Sequence, residues 1–236
     1  MERVAVFVDA GYLFAQGSTA LAGQKLPRSG VTLACDKVVE ELEKFAVAVS
    51  GIPLLRIYWY DGTSEGPSTA HLSLAHCANV KVRLGFVNSV GEQKGVDSLI
   101  VTDMITLARN RAMADAVLLS GDEDLRVGVQ QAQEYGIRVH LLGIRPSRGS
   151  QSLFLLQESD TTHEWGPGEL GQFMTLRKEA TPLVKPVVRN ETAVAPSNLF
   201  LDVATRLAAS IPAPDLKDLV ETIASSPEFM GEHRFG

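Results

Sequence analysis

Ala116-Val117-Leu118-Leu119-Ser120-Gly121-Asp122-Glu123-Asp124-Leu125 joins two elements of different periodicity. Its first four residues are a short apolar run, the mark of a strand buried on both faces of a parallel sheet. From Leu125 to Tyr135 the pattern predicts a helix, and Gly136 ends it. A strand that passes into a helix through an acidic turn delivers carboxylates to the carboxyl edge of a parallel sheet, where open α/β folds build their sites. Three successive acids repel one another. Either a divalent cation offsets them, or Asp122 and Asp124 serve as caps in the first turn of the helix. Within this stretch alone the two readings stand level.

Outward from it, strands and helices alternate. Arg3 to Asp9 is a near-continuous apolar run that ends in an acid, a central parallel strand with Gly11 allowing a tight exit. Residues 17–34 hold Gly17, Gly23, Pro27 and Gly30 with Lys25 and Arg28, which predicts a long, slightly basic loop. A helix is expected over Asp36–Ser50, then a strand over Leu54–Tyr60 that closes in a turn at Asp61-Gly62, its aromatics used for packing. A short helix near His71–Ala78, a strand at Val80–Val87 and a helix from Val96 to about Asn110 follow. After the opening stretch come a strand over Gly136–Gly143, with His140 as a sheet residue, a short helix at Ser152–Gln157 and an edge segment at Thr161–Trp165. The alternation predicts a doubly wound α/β domain over residues 1–165 with a mostly parallel sheet. Pro182, Pro186 and Pro196 mark residues 166–197 as a linker, and 198–236 reads as a short C-terminal helical extension of two amphipathic helices. Those helices are too small to fold alone; they would dock on the main domain, or form a homodimer or protein-partner contact.

The acids decide the site. Asp9 ends the first strand, Asp97 opens a helix after Lys94-Gly95-Val96, and Asp122 and Asp124 follow a later strand, so all four fall at one sheet edge. One capping Asp is ordinary; four acids at one edge cost stability unless compensated. Carboxylates without His or Cys partners select hard cations, Mg²⁺ or Mn²⁺. Asp103 lies six positions beyond Asp97, about 120° around the helix, so it is at most an outer member of such a site. Glu123 alternates away from its neighbours. The net charge of −6 argues against a protein that coats nucleic acid by bulk electrostatics, though not against a local basic rim. Cys35 and Cys77 are too isolated for a disulfide scaffold or zinc site, and no apolar run is long enough to span a bilayer, so a cytoplasmic protein with no membrane contact is expected.

Val8-Asp9-Ala10-Gly11-Tyr12, Lys94-Gly95-Val96-Asp97 with Asp103, and Ser120-Gly121-Asp122-Glu123-Asp124-Leu125 resemble, in order and spacing, the three signature blocks of the NYN domain, a member of the PIN-like nuclease superfamily, in its bacterial LabA-like branch. The chain departs from the family's commoner pattern at Tyr12, where Asn is usual, and at Glu123, where Ser is usual. The resemblance implies a three-layer, Rossmann-like PIN/NYN domain and a ribonuclease dependent on Mg²⁺ or Mn²⁺. Its catalytic and metal-holding acids would be Asp9, Asp97, Asp122 and Asp124, with RNA, single-stranded or structured, as substrate. Lys94, Arg145 and Arg148, with Ser120 and Tyr12 inside the motifs, are the expected substrate contacts; Lys25 and Arg28 are further basic candidates. The competing reading is a non-catalytic NYN-like module that binds RNA or protein. A haloacid-dehalogenase-type phosphatase would need a second acid where Gly11 stands, and a receiver domain does not fit the order of the acids.

Overall fold

A computed structural model describes residues 2–64, 66–87, 93–146 and 149–177. In chain order the elements are β1 (Val4–Asp9), α1 (Ala10–Ala22), β2 (Val31–Leu33), α2 (Cys35–Ser50), β3 (Leu54–Thr63), α3 (Thr69–His76), β4 (Val80–Val87), β5 (Gln93–Lys94), α4 (Val96–Arg109), β6 (Asp115–Leu119), α5 (Arg126–Glu134), β7 (Arg138–Ile144), α6 (Leu153–Glu158), β8 (Thr161–Trp165), α7 (Pro167–Leu170) and β9 (Met174–Leu176). Among the described residues seven strands form one sheet in the order β5-β4-β3-β1-β6-β7-β8. Six of them run parallel, and β5 pairs antiparallel on the outside of β4. This is the mostly parallel three-layer α/β architecture that the alternation predicts.

The period of two along each strand sorts its side chains into two cores. Val4, Val6 and Val8 of β1 pack with Trp59, Val117 and Leu119 under α1, α2, α3 and α7. Ala5 and Phe7 pack with Tyr58, Tyr60 and Leu118 under α4, α5 and α6. Each large side chain so buried contributes roughly 1.5–3 kcal/mol of transfer free energy. The chain steps outward from β1 to β3 and β4, then returns to β6 on β1's other side. The reversal lies between β1 and β6, and a doubly wound sheet opens a crevice at the carboxyl ends of two such strands.

Three expectations change. Residues 17–22 are helix rather than loop: a Cβ on Gly17 would stand 2.8 Å from Met174 Sδ, so this glycine makes room for β9 and does not break α1. Within the rest of that stretch, β2 pairs antiparallel with β9. Asp61-Gly62 is not a turn, since β3 runs to Thr63 in register with β4, and Asp61 is 1% exposed. The carboxylate is tolerated there because Arg28 and His71 bond it. Residues 166–177, read as the start of the linker, form α7 and β9. The rest of the linker and the two C-terminal helices lie outside the described residues.

Candidate metal centre and its loop

Asp9 closes β1 and caps α1: its Oδ1 accepts from the Tyr12 backbone N–H at 3.1 Å. It continues the series Ala5, Phe7, so its carboxylate faces the α4/α5 layer. Ser120, at the end of β6 and fully buried, donates from Oγ to Asp9 Oδ2 at 2.9 Å. The same hydroxyl accepts the Asp122 N–H at 3.3 Å, and Asp122 Oδ1 accepts the Asp124 N–H at 3.0 Å. One serine thus ties the β1 acid to the turn that carries the β6 acids. Asp122 caps the 3-10 turn Glu123–Leu125 that leads into α5, so the capping and the acidic-site readings apply to the same residues.

Asp97 comes from a third part of the chain. Gly95 caps α4 at φ +85°, a backbone conformation that glycine adopts without strain, and this turn sets Asp97 in the first turn of α4. Burial, then the charges of Asp122, Asp9 and Asp124 in that order, push its carboxyl up to about 6. Asp9 is also raised, chiefly by burial and further by Asp122, against the lowering effect of its bonds to Tyr12 and Ser120. Mutual repulsion of this kind places the four carboxylates in one field. Asp97 and Asp124 line a cavity of about 410 Å³ with Ser98, Val101, Thr102 and Val127, in the groove where Gly128 of α5 lies against Val101 of α4.

All-oxygen donors at unrelieved negative charge suit a hard divalent cation. Among the described residues, no three His, Cys, Asp or Glu side chains stand close enough to hold an ion unaided. The donor set therefore fits Mg²⁺ or Mn²⁺ with waters completing the shell, the usual manner for Mg²⁺ at one or two protein carboxylates.

The remaining candidates divide. Ser120 and Tyr12 belong to the interior. The Tyr12 hydroxyl accepts the Ile144 N–H at 3.1 Å and lies 3.4 Å from Ser150 Oγ, leaving the side chain 9% exposed. Tyr12 therefore braces α1 against β7. Asp103 is not with the other acids, because the helix turns it toward β3 and β4. There it forms a bidentate ion pair with Arg83 and accepts from the Tyr60 hydroxyl at 2.9 Å. Arg28 pairs with Asp61, and exposed Arg145 lies 3.4 Å from Glu164 on β8. Lys25 is exposed. Lys94 sits in β5, beside the turn that enters α4. Arg148 lies outside the described residues. Glu123 points to another partner, accepting from Ser152 Oγ at 3.2 Å.

Gln151 and Ser152 hold the acidic turn, and nothing in the sequence marked them. Gln151 Nε2 donates to the Ser120 carbonyl at 2.9 Å, and the Ser152 N–H donates to the Gly121 carbonyl at 2.9 Å. Their separation from the loop by some thirty residues leaves no local signal.

Comparison with known proteins bears on the family and the fold. A sequence model of the NYN domain matches residues 3–164. The uncharacterized protein y4oD of Sinorhizobium fredii (strain NBRC 101917 / NGR234) is 49% identical over 159 residues, covering 64% of this chain and 74% of that one. The crystal structure of a protein of unknown function from Vibrio parahaemolyticus superposes with a TM-score of 0.51 at 19% identity, over 74% of this chain and 96% of the other, a likeness of fold.

Proposed function

Because the chain belongs to the NYN domain family, with its PIN-like fold, we propose that it is a metal-dependent ribonuclease that hydrolyses RNA phosphodiester bonds at the carboxyl edge of β1 and β6. The supporting observation is the field of acids there: Asp9, Asp97, Asp122 and Asp124 come from three regions of the chain, and the negative charge around Asp97 and Asp9 raises the carboxyls of those two. When bound, Mg²⁺ or Mn²⁺ would activate a water for attack on the phosphate and stabilise the charge that develops there. One or two of the four acids would hold the cation directly and the others through its waters, with Ser120 and the Tyr12 N–H fixing the rotamer of Asp9. Lys94 and Arg145 are the basic groups proposed to meet the RNA backbone. The two free thiols, Cys35 and Cys77, suit a reducing cytoplasm.

The test is cleavage of labelled single-stranded and structured RNA in Mn²⁺. Asp9→Asn and Asp122→Asn should each lower the rate about 10²–10³-fold, the scale of removing one preorganised electrostatic group. Cleavage that survives both substitutions would point to a contaminant or another site. Ser120→Ala acts one step removed. It should weaken Mn²⁺-dependent activity roughly 10–100-fold through loss of an outer hydrogen bond, with the Mn²⁺ titration shifted to higher concentration. An unshifted titration would rule out the positioning role. The wide spacing of the acids favours one rival, a module that binds RNA without cutting it. RNA binding without metal-dependent turnover would establish that reading instead.

A further inference from the structure

The groove between α4 and α5 holds more than carboxylates. Its cavity of about 410 Å³ is lined by Asp97, Ser98, Val101 and Thr102 of α4, by Asp124, and by Val127 in the first turn of α5. The two helices meet closely beside it, where a Cβ on Gly128 would stand 3.1 Å from Val101 Cγ2 and 3.3 Å from Val101 Cα. That close packing fixes the α4 wall in place.

Ser98 and Thr102 stand one turn apart on the same face of α4. Both are exposed, and neither hydroxyl has a hydrogen-bond partner among the described residues. Hydroxyls within helices commonly bond a carbonyl of the preceding turn. Ser18 and Thr19 donate to the Ala15 carbonyl, Ser50 to that of Ala46, and Ser73 to that of Thr69. Ser98 and Thr102 do not, so both keep their full capacity to donate and accept on the cavity side. Thr106, a further turn along α4, is also unbonded but does not line the cavity.

The lining narrows the ligand. Among the described residues that form it, Asp97 and Asp124 are the only charged groups, so a phosphate without a cation is repelled. None of them is aromatic, so a base finds no stacking surface. What suits the cavity is a neutral group with an apolar side for Val101 and Val127, the latter 59% exposed, and a hydroxyl for Ser98 and Thr102. A ribose within a strand has both, and its 2′-hydroxyl donates and accepts as these side chains do. A deoxyribose lacks that group.

We propose that this cavity is a ribose subsite beside the acids, and that Ser98 and Thr102 bond the 2′-hydroxyl and so select RNA over DNA. The choice of a nucleotide sugar rests on the ribonuclease reading above, in which a phosphate meets the cation at Asp97 and Asp124 and its own sugar reaches the same cavity.

The test compares two short, end-labelled single strands of one sequence, oligouridine and oligodeoxyuridine, by fluorescence anisotropy with the full chain in EDTA. Repulsion from the acids acts on both strands alike and cancels from the ratio of affinities. The ribose strand should bind about tenfold more tightly, the scale of two net hydrogen bonds. Joint substitution Ser98→Ala and Thr102→Val should bring the ratio close to one and leave the deoxyribose strand within about twofold of its original affinity. Thr106→Val, the same change outside the cavity, should keep the preference. No preference in wild type, a preference that survives the joint substitution, or an equal loss of both strands overturns the subsite. Mn²⁺-dependent cleavage of the same strands is the second arm, and it supplies the ratio if binding in EDTA is too weak to measure. A ribose preference in binding that the joint substitution removes, without any cleavage, refutes the nuclease reading alone. Cleavage whose ribose preference survives the joint substitution refutes the subsite alone. Neither binding nor cleavage of either strand refutes both.

Discussion

Gly121→Ala is expected to lower the melting temperature by roughly 6–12 °C and to abolish metal-dependent cleavage. A Cβ at this position would stand 2.0 Å from the Ser150 carbonyl oxygen, 2.6 Å from the Tyr12 ring and 3.1 Å from Gln151 Cα. Two of those neighbours are backbone, which no rotamer change can clear. Overpacking of this kind costs about 3 kcal/mol, and relief requires the acidic turn to move away from Ser150 and Gln151. The movement would break the bond from the Ser152 N–H to the Gly121 carbonyl and strain that from Gln151 to Ser120. It would also carry Asp122 away from Asp9. Gly168→Ala is the matched control, because a Cβ there meets nothing within 4 Å. Thermal melts and RNA cleavage check both variants. If Gly121→Ala melts within about 2 °C of the parent and cuts RNA normally, the acidic turn does not depend on this contact.

Asp97→Asn should separate stability from function. Burial and the neighbouring acids push the Asp97 carboxyl up to about 6. A raised acid holds its proton in the folded state after the unfolded chain has released it, between about pH 4 and pH 6. Its contribution to stability is complete below about pH 4, declines as pH rises through about 6, and is lost above that. Asparagine carries no charge at any of these values. The variant should match wild type near pH 4 and exceed it at pH 8 by roughly 1–2 kcal/mol, after discounting for the solvent that reaches this half-buried group. Metal reverses the order. Saturating Mn²⁺ at about a hundred times its Kd stabilises a binding protein by roughly 2.7 kcal/mol, and the variant should lose most of that gain together with cleavage. Denaturant unfolding at pH 4 and pH 8, with and without Mn²⁺, measures all four corners. A variant less stable than wild type at pH 8 without metal would show that Asp97 is not held in a repulsive field.

How legible the fold was follows from where its information lies. β6 and α5 were readable because a buried strand is a continuous apolar run and an amphipathic helix repeats every 3.6 residues, both local patterns. α1 was misread because Gly17 looks like a breaker from its neighbours alone, while its real partner, Met174, is far along the chain. Asp61 was misread for the same reason. An Asp-Gly pair favours a turn until Arg28 and His71, distant in sequence and close in space, neutralise the carboxylate. Among the site candidates, Tyr12 and Ser120 were picked out by their motifs, and the structure buries both. A motif names residues but does not say which way a side chain points, and both point inward.

By itself the sequence determined the alternating α/β plan and four acids at element ends. Those depend on apolar periodicity and on the chain positions of the acids, which no folding step alters. Only the tertiary structure decided that Ser120 locks the turn to Asp9, that Asp103 belongs to Arg83, and that Asp61 is buried against Arg28 and His71. Each of these is a hydrogen bond or an ion pair between residues brought together by packing, at sequence separations where no local pattern carries a signal.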